Sequence, residues 1–219
     1  MSNFDNVKFA NNDFKDLIFG RHSIRHYDPS VKIPRDQLKE MLAEATTAPS
    51  SCNLQSWHFI VVDDEAGKAK LKKFFMKFNY PQLESSSAIV LFFGYTDAFK
   101  KYRDLWQGMY DRKEITHEML EKIFATFLPL YEHASRDVLL SDGYRDCGLV
   151  AMQFMLLARA YGYETNPMGG YDWTKAAAIM GLDPEKYFPV MAIAIGKPEA
   201  GAHEITTNRY PIDEMMQFM

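Results

Sequence analysis

The eight residues AIVLFFGY at 88–95 constrain this chain more than any other stretch. Strands point successive side chains to opposite faces, and this run is apolar at every position. Such a strand needs cover on both sides, as a central strand between helices has. The run is strand length, far below the roughly 18 to 20 residues that span a membrane. YFPVMAIAIGKP at 187–198 and SWHFIVVDD at 56–64 read as two further buried strands.

The remaining chain is mostly helical in pattern. NDFKDLIF at 12–19 reads as a short helix with Asn12 or Asp13 as its cap and Gly20 as its stop. IPRDQLKEMLAEATTAP at 33–49 is amphipathic, opened by Pro34 and closed by Pro49, with Leu38, Met41, Leu42 and Ala45 on one face. DEAGKAKLKKFFMKF at 64–78 reads as one helix whose lysines form a solvated face. Residues 97–140 are helical and rich in aromatics, among them Tyr102, Trp106, Tyr110, Phe124, Phe127 and Tyr131. At helical spacing these belong mainly to a core, with one or two left to cover a planar substrate. GYRDCGLVAMQFMLLARAYGYET at 143–165 is the most apolar helix and stops near Gly162. NPMGGYD is a loop and KAAAIMGL a short helix. Helices and strands do not alternate as in a doubly wound fold. The expectation is an α+β fold in one domain over 1–219, a small mixed or antiparallel sheet sandwiched by helices.

Several function classes are excluded or disfavoured. The chain has 25 Lys plus Arg against 29 Asp plus Glu, a net charge of -4, which argues against nucleic acid as a main partner. There is no G-x-G-x-x-G, no P-loop and no G-x-S-x-G. His22 and His26 lie four apart, but no further His or Cys is near in sequence to complete a set of four, so no metal is expected. The two cysteines, Cys52 and Cys147, are far apart and fit reduced thiols in the cytoplasm. The first residues show no basic segment followed by an apolar one, so no secretory signal is expected.

Chemistry concentrates in RHSIR at 21–25. In an extended backbone Arg21, Ser23 and Arg25 share one side, a row of anion donors about 13 Å long at about 3.3 Å per residue. Guanidinium groups suit phosphate oxygens and planar acceptor edges. The competing reading pairs these arginines with surface carboxylates. APSSCNLQSWHF at 48–59 places Ser50, Ser51, Asn53 and Gln55 in one loop, able to read the edge of a heterocycle or simply to form a polar turn.

The ordered set R-x-S-x-R, A-P-S-S-x-N-x-Q-x-W, Asn79, the apolar helix, NPMGGYD, VMAIAIGKP and Asn208-Arg209 resembles the nitroreductase family of FMN-dependent oxidoreductases. The resemblance implies an intertwined homodimer with FMN at the interface and NAD(P)H as donor. It implies that Arg21, Ser23 and Arg209 hold the FMN phosphate, and it puts Arg25, with His22 beside it in the motif, near the flavin. Ser50, Ser51, Asn53 and Gln55 would reach the flavin from the partner chain, and Asn79, Gly169 and Gly170 would border the ring. Ser56, Gly169 and Gln82 depart from residues common in the family; the last leaves Arg25 as the principal charge at the ring edge. The expected reaction passes two electrons from NAD(P)H through flavin to nitroaromatic or quinone acceptors by a ping-pong cycle. The alternatives are a flavin carrier, a flavin-fragmenting or dehalogenating enzyme of the same fold, and an interaction module without cofactor. The tail RYPIDEMMQFM ends in Met215, Met216, Phe218 and Met219, apolar residues that need a partner surface.

Overall fold

The structure, a computed structural model, describes residues 4, 7–202 and 207–219. Among the described residues four strands form one antiparallel sheet in the order β1-β2-β4-β3. They are β1 (Trp57–Val62), β2 (Ala88–Tyr95), β3 (Glu164–Met168) and β4 (Tyr187–Gly196). β2 is central and buried from Ala88 through Phe93. Its alternation sorts the core into two layers. Ile89, Leu91 and Phe93 join Leu71, Phe75 and Ala176 on one face. Ala88, Val90 and Phe92 join Leu38, Met41 and Phe154 on the other. Each of the larger side chains among these contributes roughly 1.5–3 kcal/mol through burial. The α+β sandwich read from the sequence is therefore the fold.

The helices are α1 (Phe14–Phe19), α2 (Arg35–Ala45), α3 (Glu65–Leu71), α4 (Tyr80–Ser85), α5 (Tyr102–Asp111), α6 (His117–Thr126), α7 (Leu128–Glu132), α8 (Arg136–Ala160) and α9 (Trp173–Ile179). Asp13 caps α1, accepting from the N–H groups of Lys15 and Asp16, and Gly20 ends it. α2 ends at Ala45, four residues before Pro49. α5, α6 and α7 gather Tyr102, Ile123, Leu128 and Tyr131 around Leu54, a satellite core against the loop at 50–56.

Four expectations are corrected. The sheet has a fourth strand, because ETNPM pairs with β4 from Glu164↔Gly196 to Met168↔Ala192. It is an edge strand, where a polar sequence and Pro167 are tolerated. β1 is the opposite edge rather than a buried strand; it is only half-buried, and Val61 is exposed. The helix expected over 64–78 stops at Leu71, since the backbone of Phe74 to Met76 turns to pair with 170–172: Met76 N–H donates to the Gly170 carbonyl at 3.0 Å and Asp172 N–H to that of Phe74 at 2.8 Å. Lys68 is no part of a solvated face. It is 2% exposed, and its Nζ donates to the Ser86 carbonyl at 2.8 Å just past the end of α4. Burial, more than the nearby Lys32, holds its pKa below the usual lysine value.

Candidate functional site

Residues 21–25 run beside β3. Ser23 forms a parallel bridge with Thr165, and the Ile24 N–H donates to the Thr165 carbonyl at 3.2 Å. Ile24 turns into the core, 2% exposed. The alternate residues Arg21, Ser23 and Arg25 then line a cleft of about 480 Å³, joined by His22, Asn79, Gly169, Gly170 and Arg209. That volume lies in the usual range for a small-molecule site. His22 Nδ1 is 2.6 Å from the Gly20 carbonyl. Among the described residues no carboxylate pairs with Arg21, Arg25 or Arg209, which counts against the reading that these arginines serve surface ion pairs.

The Arg25 end of the cleft is fixed by a chain of amides. With the Gln82 amide oriented so that both its ends find partners, its Oε1 accepts from Arg25 Nε at 3.2 Å and its Nε2 donates to the Asn79 carbonyl at 3.2 Å. Asn79 Nδ2 in turn donates to the Gly170 carbonyl at 2.9 Å. Gln82 and Asn79 are 1% and 3% exposed, so this chain of contacts is preorganised. A Cβ on Gly170 would lie 2.5 Å from Phe78 Cζ and 2.6 Å from Asn79 Nδ2, so the close approach needs glycine there. Gly169 has no such requirement; a Cβ would meet only Trp173, at 3.6 Å. Just beyond, Asp172 caps α9; hydrogen bonds from Lys175 and Thr174 hold its carboxyl down at about 2.

None of Ser50, Ser51, Asn53 and Gln55 lines this cleft. Asn53 and Gln55 border a second one, about 320 Å³, with His58, Lys101, Tyr102 and Tyr187. Tyr95 and Tyr187 stack there at 4.6 Å, and the His58 ring lies 5.0 Å from Tyr187. Burial, and then Lys101, lower the His58 pKa. Burial first and Cys52 second push Tyr102 up to about 12. Of the aromatics at 102–131, expected mainly in a core with one or two covering a substrate, Tyr102 borders this cleft, and both it and Tyr131 belong to the satellite core.

Two contributors were not among the residues expected to form the site. Gln82 was noted only as a departure from the family; its neutral amide now proves to hold Arg25. Asp146, on α8, is 1% exposed and accepts from the backbone of the 50–56 loop at Ser51 N (2.8 Å) and Ser56 N (3.3 Å). An acid within an apolar helix was the available signal, but its partners are main-chain groups 90 and 95 residues away.

A row of arginines beside an antiparallel sheet, half-buried at Arg21, exposed at Arg25 and bordered there by an amide chain, can hold an anionic ligand. The chain belongs to the nitroreductase family, whose model matches residues 18–197. It is 52% identical over 210 residues to the CLA biosynthesis enone reductase of Lactiplantibacillus plantarum, covering 96% of each chain. It is 41% identical to YdgI of Bacillus subtilis, a protein named as a candidate NAD(P)H nitroreductase, over 94% of this chain and 98% of the relative. A candidate nitroreductase of Exiguobacterium sibiricum solved in complex with FMN superimposes with a TM-score of 0.90 at 37% identity, covering 97% of this chain and 100% of that one.

Proposed function

We propose that this protein is an FMN-dependent reductase that takes two electrons from NAD(P)H and delivers them to a carbon–carbon double bond conjugated with a carbonyl. The observation that carries the reading is the set of three arginines lining one cleft with no carboxylate among the described residues paired to them. FMN supplies the two-electron chemistry, and the chain supplies binding, orientation and field. Arg21, Ser23 and Arg209 hold its phosphate, in a cleft whose donors are charged and whose volume suits the ligand. Arg25, with His22 beside it in the motif, serves the ring end, where a fixed cation stabilises negative charge that grows on reduction. Asn79, Gly169 and Gly170 border the same end.

Enones are favoured as acceptors because the 52% identical relative is named for that reaction. Nitroaromatics and quinones form the second reading, favoured by the name of YdgI. Both are electron-poor π systems reduced by two electrons and two protons: NAD(P)H, a proton and acceptor become NAD(P)+ and the saturated ketone or hydroquinone, or, for a nitro group, NAD(P)+, the nitroso compound and water. Donor and acceptor share one open face in succession, a ping-pong cycle.

The working unit is a two-fold homodimer in which Ser50, Ser51, Asn53 and Gln55 of one protomer cover the arginine cleft of its partner. Two features support this. The loop lines none of its own chain's arginine cleft, and Met215, Met216, Phe218 and Met219 are exposed on the single chain. Among the described residues no helix is long and apolar enough to cross a membrane. The two free cysteines accord with a cytoplasmic site of action.

The test is anaerobic NAD(P)H oxidation by the purified, flavin-loaded protein, with an α,β-unsaturated ketone, a quinone and a nitroaromatic compared at equal concentration. Formation of the saturated ketone at the highest kcat/KM supports the enone reading. Faster turnover of the nitroaromatic or quinone transfers the assignment to the second reading. Tightly held FMN with no acceptor-dependent oxidation would leave a flavin carrier and overturn both.

A further inference from the structure

The loop at 50–56 is held in a shape that its own residues disfavour. Cys52, Asn53 and Gln55 have φ values of 47°, 60° and 53°, so three non-glycine residues within four positions lie in the left-handed region. Non-glycine residues persist there only where their surroundings impose it. Within the loop, the Asn53 N–H donates to the Ser50 carbonyl at 3.1 Å, and the Leu54 N–H to that of Ser51 at 2.9 Å. The Gln55 N–H donates to Ser50 Oγ at 3.1 Å. These bonds shape the tip but do not anchor it to the rest of the molecule.

Leu54 packs into the satellite core, and the polar anchor of the loop comes from α8. Asp146 is buried, and its two carboxylate oxygens take separate backbone partners: Oδ1 accepts from Ser51 N at 2.8 Å and Oδ2 from Ser56 N at 3.3 Å. The two N–H groups flank the strained residues. One carboxylate therefore ties the entry of the turn to its exit. The exit is also fixed to the sheet, where Tyr95 N–H donates to the Ser56 carbonyl at 3.1 Å; at the entry, Ser51 relies on Asp146. A carboxylate is suited to this position because it accepts at both oxygens, whereas an amide would point a donor at one of the two N–H groups.

We propose that Asp146 is a positioning residue for the ligand site: by bridging Ser51 and Ser56 it holds the left-handed turn that presents Asn53 and Gln55 to the partner protomer's cleft. This rests on the reading that the loop completes the FMN site of the partner. It adds a residue that touches neither FMN nor substrate, and it links the helix packed on β2 to the ligand across the dimer.

The experiment uses the full-length holo protein and the near-isosteric variant Asp146→Asn. FMN affinity is measured by fluorescence titration, the potential of bound FMN by equilibration with dyes, and backbone protection of residues 50–56 by amide hydrogen exchange. The expected result is FMN binding weaker by about tenfold or more, the scale of one lost charge-assisted bond, with faster exchange confined to the loop and a changed flavin potential. Adding Cys52→Gly to Asp146→Asn should restore part of the affinity, because glycine adopts the left-handed turn without strain. Cys52→Gly alone should change affinity far less. Faster loop exchange with unchanged FMN affinity, potential and turnover overturns the positioning role and leaves the arginine cleft as assigned. A wild-type protein that binds no FMN overturns the site reading together with this proposal. If Asp146→Asn does not fold, exchange in the wild-type holo protein still decides, since a fast-exchanging Ser51 N–H would show that the clamp does not hold the loop.

Discussion

Arg21 and Arg25 share a five-residue segment yet should fail in different ways when replaced. Arg21 is half-buried and Arg25 exposed on the single chain, and they stand about 13 Å apart along the extended backbone. Arg21 is assigned to the phosphate, whose charge is the same whether FMN is oxidised or reduced. Its loss removes a charge-assisted bond of about 1.5–3 kcal/mol, roughly ten- to a hundredfold in FMN affinity, and the half-buried setting places it in the upper part of that range. Arg21→Ala should purify pale, and excess FMN should restore its rate. Arg25 is gripped by Gln82 at 3.2 Å and assigned to the ring, where negative charge grows on reduction. The same range of energies, applied to one redox state only, lowers a two-electron potential by roughly 30–65 mV, and exposure puts Arg25→Ala toward the smaller figure. This variant should keep more of its flavin, accept electrons from NAD(P)H more slowly, and gain nothing from added FMN. Fluorescence titration of FMN followed by stopped-flow reduction separates the two. If both variants lose FMN alike and both recover full rate with added FMN, the division of labour along the segment is wrong.

Gly94→Ala should cost about 1–3 kcal/mol in urea unfolding, because a Cβ there would lie 2.0 Å from the rigid Phe188 ring, and Phe188→Leu should recover part of the loss; an undiminished midpoint for Gly94→Ala sinks the argument. His58 is held below the ordinary imidazole value of 6.5, so as pH falls from about 6.5 toward its lower folded value the unfolded chain takes up a proton that the folded one refuses, and stability declines; above about 6.5 it contributes no slope. Thermal melts of His58→Phe at about pH 7.5 and 5.5 should therefore differ less than those of the wild type. Deleting residues 211–219, which removes Ile212, Met215, Met216 and Phe218 but keeps Arg209, should weaken the dimer in sedimentation; a wild-type monomer at micromolar concentration with FMN bound would refute the shared site. Initial rates at several fixed acceptor concentrations should give parallel lines, and intersecting lines would exclude a ping-pong cycle.

What could be read from the residues follows from how local each signal is. AIVLFFGY announced a central strand because apolar side chains on both faces admit no other setting, and β2 is that strand. The alternation in RHSIR placed three side chains on one side, and all three line the cleft. ETNPM gave no strand signal, since its pairing depends on β4 more than on its own composition. The pattern of three and four that suggested a long helix through Phe78 was overridden by the pairing of Phe75 with Tyr171, far along the chain. Asp146 and Gln82 were hidden for the same reason. The groups they contact, Ser51 N and Arg25 Nε, lie 95 and 57 residues away along the chain.

The bridge between Ser23 and Thr165 gives this molecule an unusual sensitivity to length rather than to composition. Along 21–25, Arg21, Ser23 and Arg25 line the cleft with His22 at its border, Ile24 enters the core, and the bridge fixes the phase at Ser23 and Ile24. One residue inserted between Ser23 and Ile24 would exchange the parity of everything after it, sending Arg25 toward the core and an apolar side chain into the cleft. The same insertion at the turn around Gly20 would leave the count from Arg21 onward untouched. The odd-and-even phase of this short segment, more than any one side chain in it, is therefore what a functional variant of this chain must preserve.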